Sequence, residues 1–425
     1  MKRRIKEQSI IFYSVVKWVF LSVAVGCIVG VSTAIFLKAL NWSSGAAASH
    51  RYYFILLPFA LFLSAIIIKF LAPNAEGHGT EKVIEAIHKS DGIIKAAVVP
   101  VKLVATIITI AFGGSAGKEG PCAQIGAGIA STFARLFRFD THDRKKLVIC
   151  GISAGFASVF GTPIAGAIFG VEVLFVGTIL YDVLLPSFIA GVISYNVSSA
   201  LGIRYFHHSL EAPLNFSAVF FYQILLAGIF FGLCSFFLIE ILNLGKKVSE
   251  RIKIWKPLKG FLGGSVLIIV ALLFSTDYLG LGFNTIEASL NGQLLPWYAF
   301  ILKSFTTSMT LNFGGSGGIV TPIFFVGSSA GNIFAQVLCL DIILFSALGF
   351  VGLLAGAANT PIAASIMAIE LFGPQIAPYA ALVCVISFLM TGHRSVYPSQ
   401  ILAFKKSKLI DIDLGEEIDR SKPKF

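Results

Sequence analysis

The chain has 425 residues, 56% of them hydrophobic and only 13% charged, with a mean hydropathy of +0.84. Soluble domains carry roughly 25% charged residues, so a soluble protein is excluded and the chain reads as an all-α polytopic membrane protein. The net charge of +11 would suggest nucleic acid in a soluble protein; here it is assigned to cytoplasmic loops, and no nucleic-acid partner is expected.

The chain opens on Lys2-Arg3-Arg4 ahead of an apolar run with no small-residue cleavage site, which predicts a cytoplasmic N-terminus and no removable signal peptide. Apolar segments follow at about 11–40, 53–72, 95–112, 121–137, 147–179, 183–203 and 216–245, then 258–275, 280–291, 294–313, 321–340, 342–358, 359–373 and 376–392. Several are shorter than the roughly 20 residues of a spanning helix, and several are broken by Gly or Pro, so full spans and half-spans are expected together. Cysteines 27, 122, 150, 234, 339 and 384 fall in these segments without CxxC spacing and read as small core residues, not as a metal site or disulfide frame. No metal and no cofactor is expected.

Basic clusters at 135–146, at 246–259 and in the tail from Arg394 are predicted cytoplasmic, whereas 200–215 and 276–297 are poor in Lys and Arg and predicted external. Both termini then lie inside. The expected organisation is a cytoplasmic N-terminus over 1–10, a transmembrane body over 11–403 and a short cytoplasmic tail over 404–425.

Two glycine-rich runs dominate the body. Gly113-Gly114-Ser115-Ala116-Gly117-Lys118-Glu119-Gly120-Pro121 and Gly314-Gly315-Ser316-Gly317-Gly318-Ile319-Val320-Thr321-Pro322 share the frame GGSxGxxxP, 201 residues apart (113 to 314). Thr162-Pro163-Ile164-Ala165 recurs as Thr360-Pro361-Ile362-Ala363, 198 residues apart, and Glu172 recurs as Glu370. Two motif pairs in one order at nearly equal offsets indicate an internal duplication. The loop between the motifs is basic in the first half; the matching interval 322–360 has Asp341 as its single charge. The halves, about 11–245 and 246–403, are therefore expected to be inverted repeats with the substrate site at their interface.

Helix N-termini offer unpaired N–H groups and about half a positive charge, and glycines let those donors approach a bare anion. The runs fit such a site, or they only permit close helix packing. Glu119, where the second run has Val320, is an ionisable group in an apolar setting; it reads as a gate and proton carrier, or as a carboxylate neutralised by Lys118. Both runs also read G-x-S-x-G at Ser115 and Ser316, the pattern of a hydrolase nucleophile, which makes an intramembrane serine hydrolase the competing class. That chemistry needs a base, and among seven histidines only His78 lies near a glycine-rich run. A serine repeated in both halves suits packing better than a single nucleophile, so no enzyme is expected.

Gly117-Lys118-Glu119-Gly120-Pro121 resembles the G(R/K)EGP signature of the CLC chloride channels and transporters. Gly318-Ile319-Val320-Thr321-Pro322 is similar to their G-x-F-x-P, Gly77-His78-Gly79-Thr80-Glu81 falls where their G-S-G-I-P lies, and Tyr397 is similar to their pore tyrosine. The resemblance runs from about residue 15 to 403. It implies a prokaryotic cell-membrane homodimer with one pathway for chloride or another small anion per protomer. Backbone donors around His78, Gly79, Glu119, Gly120, Ile319 and Val320, with the Tyr397 hydroxyl, are implied to hold the ion, and Glu119 to gate it. The family's cytoplasmic CBS domains are expected to be absent. Three departures bear on mechanism. His78 stands for the usual serine and either alters selectivity or only caps a helix, Glu81 stands for the proline, and Val320 for the aromatic. Where proton-coupled members carry an internal glutamate, after Glu172, this chain has Val173. Passive, channel-like conduction is accordingly expected, with proton-coupled exchange of chloride or fluoride as the alternative. Glu172 is either structural or a proton site.

Overall fold

The computed structural model describes residues 2–210 and 217–421, so part of the expected external segment and the last four tail residues lie outside the described residues. Eight helices form a first set: α1 (Lys2–Ala48), α2 (Leu57–Leu71), α3 (Thr80–Lys89), α4 (Val98–Ala111), α5 (Glu119–Leu136), α6 (Thr141–Phe160), α7 (Pro163–Glu172) and α8 (Tyr181–Ala200). Eight more repeat the sequence of long, medium and short elements: α9 (Ala218–Arg251), α10 (Lys256–Leu273), α11 (Phe283–Leu290), α12 (Ala299–Asn312), α13 (Val320–Leu338), α14 (Ile342–Ala358), α15 (Pro361–Phe372) and α16 (Ala377–Met390). The division expected at 245/246 cuts through α9, so the halves meet between α8 and α9 instead. The junction falls in the gap between the apolar segments 183–203 and 216–245, which holds Arg204 and Glu211, so the expected boundary stood one apolar segment too late, at the basic cluster that ends α9. Residues 2–10, expected as a separate segment, are the first turns of α1. The predicted run 147–179 is two helices, broken where Gly161 turns into the left-handed region at φ 77° ahead of Pro163.

Among the described residues, six stretches are long and apolar enough to cross a bilayer: Arg3–Ala48, Tyr53–Leu71, Tyr181–Ala200, Ala218–Arg251, Lys256–Leu273 and Val320–Leu338. Helices such as α4, α7, α14 and α15 are apolar but shorter, the mixture of spans and half-spans that the broken segments predict. α5, α6, α13 and α14 are buried over most of their length, while Phe12 and Phe20 on α1 and Phe59 and Phe70 on α2 stand exposed, a surface suited to lipid. Cys122, Cys150, Cys234 and Cys384 are buried, but Cys27 is half-buried and Cys339 is exposed, closing α13 in the left-handed region at φ 52°. The expectation of a core cysteine fails at 339 because α13 ends one residue earlier.

The halves lock together by exchange. Gly117 N–H donates to the Gly318 carbonyl at 2.7 Å and Gly318 N–H to the Gly117 carbonyl at 2.6 Å. Ser115 N–H donates to Thr310 Oγ1 at 3.0 Å, and Ser316 N–H to Thr109 Oγ1 at 2.9 Å. When i bonds j and their repeat partners bond reciprocally, a local two-fold axis lies between them. The bridge at Gly117 and Gly318 is antiparallel and leads directly into α5 and α13, so the two N-termini meet head to head and the repeats are inverted. Capping repeats too: Asp140 accepts from Asp143 N–H and Asp341 from Leu344 N–H, each at 2.8 Å, heading α6 and α14. The lone charge of 322–360 is thus an N-cap, worth about 1 kcal/mol.

Beyond α16 the chain returns across the body. β2 (Ile401–Leu402) pairs in parallel with β1 (Phe175–Val176), and Val176, Phe388, Leu402, Ile412 and Ile418 bury a small cluster beneath the tail. Lys406 Nζ reaches the Asn359 Oδ1 at 2.7 Å and the Phe388 carbonyl at 2.6 Å.

Candidate functional site

Three loops converge where the repeats meet: 77–79 ahead of α3, 117–119 leading into α5 and 317–319 ahead of α13. They touch through backbone. A Cβ added at Gly120 would stand 2.9 Å from the Gly318 Cα, one at Gly318 would stand 2.6 Å from the Gly120 nitrogen, and one at Gly79 would stand 3.0 Å from the Pro121 nitrogen. Only glycine permits this approach, and the first-turn N–H groups of α5 and α13 lack intrahelical acceptors. Donors of both halves therefore face one small volume.

Two buried lysines, absent from the reading of the sequence, hold the flanking loops. Lys102 on α4 donates to the Ala75 and Gly77 carbonyls at 3.1 and 2.6 Å. Lys303 on α12 donates to the Tyr278 and Gly280 carbonyls at 3.3 and 2.8 Å. The lysines are 201 residues apart, the same offset as the glycine runs. The loops they hold, Gly77-His78-Gly79 and Gly280-Leu281-Gly282, are a third repeated pair. Each lysine ties a loop that must expose its backbone at the centre, and the carbonyls that would repel an anion are turned onto ammonium groups.

Glu119 is fully buried at the first position of α5. Its carboxylate crosses to the other half: Oε2 accepts from Thr321 N–H at 3.1 Å and Oε1 accepts from the Thr321 hydroxyl. A carboxylate thus occupies the N-terminus of α13, where partial positive charge favours an anion. Lys118 forms no close ion pair with it among the described residues; its ammonium lies over the Phe283 ring, 4.9 Å from the centroid. Thr321 lies one residue past the pair singled out in the sequence.

Gly120, Pro121, Ile319 and Val320 are buried at the two helix starts, and Gly117 lies in the bridge between them. Gly79 packs against the Gly120 carbonyl group. His78 lines a cavity of about 500 Å³ that reaches this junction from the side of the basic segment 246–259. Tyr397 is fully buried beyond α16. Its hydroxyl approaches the Thr80 hydroxyl without closing a hydrogen bond, and Tyr397 OH, Thr80 Oγ1 and His78 Nδ1 all lack partners. Buried polar atoms are normally satisfied, so three orphans at one junction mark a place where a ligand or water completes the set.

Glu172 lies away from this junction. Its oxygens accept from Ile362 and Ala363 N–H at 3.0 and 2.8 Å, while Glu370 accepts from Ile164 and Ala165 N–H at 2.9 and 2.8 Å. Each carboxylate caps the opposite half's helix. The two serines of the hydrolase pattern bond threonines instead of a base: Ser115 Oγ lies 2.9 Å from Thr307 Oγ1, and Ser316 Oγ 3.1 Å from Thr106 Oγ1. That geometry ties the glycine runs to α4 and α12, and among the described residues the side-chain partners of both serines are threonines.

Comparison with known proteins agrees with this architecture. Residues 59–392 match the family described as voltage gated chloride channel. The chain is 35% identical over 412 residues to a chloride/fluoride channel protein of Pseudomonas syringae pv. tomato, covering 95% of this chain and 91% of that protein. It is 30% identical over 336 residues to the voltage-gated ClC-type chloride channel ClcB of Escherichia coli, covering 75% and 79%. Among solved structures, a CLC-type fluoride/proton antiporter superposes with a TM-score of 0.87 at 30% identity, covering 92% of this chain and 99% of that one. A slow cyanobacterial Cl⁻/H⁺ antiporter shares the fold, with a TM-score of 0.77 at 22% identity over 88% and 94%. With its two inverted repeats and its glycine-lined junction, the chain belongs to the CLC family of anion-transporting membrane proteins.

Proposed function

We propose that this protein exchanges a small halide, fluoride or chloride, against protons, and that Glu119 is the group on which the two compete. One observation carries the reading: the Glu119 carboxylate is hydrogen-bonded by the N–H and hydroxyl of Thr321 at the start of α13. While charged, it satisfies the donors an anion needs. Once protonated, it loses the negative charge those donors favour and gives way to the anion. Around the vacated place, backbone donors of Gly79, Gly120, Ile319 and Val320 hold the ion, with His78 and the Tyr397 hydroxyl at its inner side. The names of the relatives, one a chloride/fluoride channel and one a fluoride/proton antiporter, agree with this substrate class.

Passive conduction is the second reading, favoured by apolar Val173 at the end of α7, whose carbonyl accepts from Gln400 at 2.8 Å. Orientation follows the basic clusters: segment 246–259, the tail and both termini face the cytoplasm of a prokaryotic cell. The whole junction is built from one chain, so each protomer of the proposed homodimer carries its own pathway. Purified protein in liposomes, with anion efflux and proton uptake recorded together, decides between the readings. Exchange drives protons against their gradient, and Glu119→Gln abolishes that movement while anion flux persists. Anion flux without proton movement in the unaltered protein establishes the passive reading. A Glu119→Gln protein that still pumps protons removes Glu119 from the role.

A further inference from the structure

Glu81 is a carboxylate of the cavity that stands outside the donor set of the anion site. It lines the cavity together with His78, three residues away at the start of α3. Its Oε1 accepts from the Ser399 hydroxyl at 2.5 Å and from Ser399 N–H at 3.1 Å, whereas Oε2 meets only that N–H, at 3.4 Å. One oxygen is anchored and the other is left to the cavity. Ser399 is two residues past Tyr397, so the carboxylate is fastened to the segment that carries the buried phenol.

The surrounding charges leave Glu81 without a counterion. Lys82 pairs with Glu85 at 2.7 Å, and across the cavity Lys256 pairs with Glu76 at 2.5 Å. Lys259 donates to the Ser249 carbonyl at 2.5 Å. Lys246, Glu250 and Asp419 line the same cavity, and none of them forms an ion pair with Glu81 among the described residues. A carboxylate taken partly out of water without a counterion is costly in its charged form and holds a proton readily. The phenol of Tyr397 is within electrostatic reach of both Glu81 and Glu119, and Tyr397 OH, Thr80 Oγ1 and His78 Nδ1 are buried without partners. The matching place in the second half, after Gly280-Leu281-Gly282-Phe283, is Asn284. The alternative internal carboxylate, Glu172, spends both oxygens on α15.

We propose that Glu81 is the proton-exchange group on the cavity side of the anion site. It takes a proton from cavity water on Oε2 and delivers it past His78 and Tyr397 to the Glu119 carboxylate. Each transfer neutralises one carboxylate and restores the other, so charge and protons balance. This inference rests on the exchange reading above, and its test separates the two. Anion efflux and proton uptake are recorded together in liposomes for the unaltered protein, Glu81→Gln and Glu119→Gln. Gln keeps an oxygen for Ser399. The expected result is that the unaltered protein pumps protons and that Glu81→Gln loses proton flux relative to anion flux, as Glu119→Gln does. If the unaltered protein pumps and Glu81→Gln keeps the same ratio, the role of Glu81 is overturned and exchange stands. If the unaltered protein moves no protons, both fall. Should Glu81→Gln not yield monodisperse protein, Ser399→Ala carries the test, because it removes a donor to the charged carboxylate and leaves the carboxylate itself. The cavity-side pH at half-maximal proton flux then moves upward; an unmoved midpoint overturns the proposal.

Discussion

The halves of the protein share their scaffold and divide their chemistry. Lys102 and Lys303 clamp equivalent loops, Thr109 and Thr310 receive equivalent N–H groups, and Glu172 and Glu370 cap one another's partner helices. Yet Glu119 faces Val320 across the repeat, His78 faces Leu281, and Glu81 faces Asn284. Groups that hold backbone are duplicated; the carboxylates and the histidine near the junction belong to the first half, and the phenol of Tyr397 to the second. The difference teaches that the two-fold arrangement supplies converging donors, while directionality comes from substitutions within it. A symmetric site alone would bind an anion identically from either face.

The comparison is most severely broken at the lysines. Lys102→Met and Lys303→Met each orphan two carbonyls, at about 1–3 kcal/mol per group. Both variants are expected to lower the thermal unfolding midpoint in detergent by similar amounts. Equal losses confirm a shared scaffold; a loss confined to one variant shows that the clamps are not equivalent. Next come the carboxylate caps. Glu172→Gln and Glu370→Gln each weaken a charge-assisted cap by about 1–2 kcal/mol and are expected to leave the ratio of proton to anion flux intact. Loss of coupling in Glu172→Gln alone would return that residue to proton transfer. The smallest effect is expected from His78→Leu, which copies Leu281 into the first half. Losing one donor changes the preference among fluoride, chloride and nitrate by about two- to tenfold, read from relative efflux rates. Unchanged preference leaves His78 a structural residue.

The duplication and the inverted halves were legible, and Glu119 stood out, because glycine, proline and an ionisable residue in apolar sequence are rare and carry position. Lys102 and Lys303 were equally visible, as cations within the apolar segments 95–112 and 294–313 at the repeat offset, but hydropathy averages them away. Thr321 escaped notice because threonine is common in such segments and its partner is 202 residues distant. The return of the tail had no signal: two-residue strands have no periodicity, and Ile401 meets Phe175 only through the fold. The half boundary was drawn at the basic cluster 246–259 although the polar gap that holds Arg204 and Glu211 was visible one segment earlier; two such breaks look alike in hydropathy, and the reciprocal contacts separate them.

The reciprocal bonding between halves has a consequence in time. Every partner of Glu119, Ser115 and Gly117 named above lies about 200 residues further along the chain. At about 5–20 residues per second, a ribosome finishing the first half leaves its glycine run without those partners for roughly 10–40 s. During that interval the half-helices carry open N-termini and an unclamped carboxylate in or beside the bilayer, where unsatisfied backbone is expensive. The first half must therefore wait in a shallow or hydrated arrangement, or under the protection of the insertion machinery, until α12 and α13 arrive. Biogenesis, and not only transport, then depends on the second glycine run.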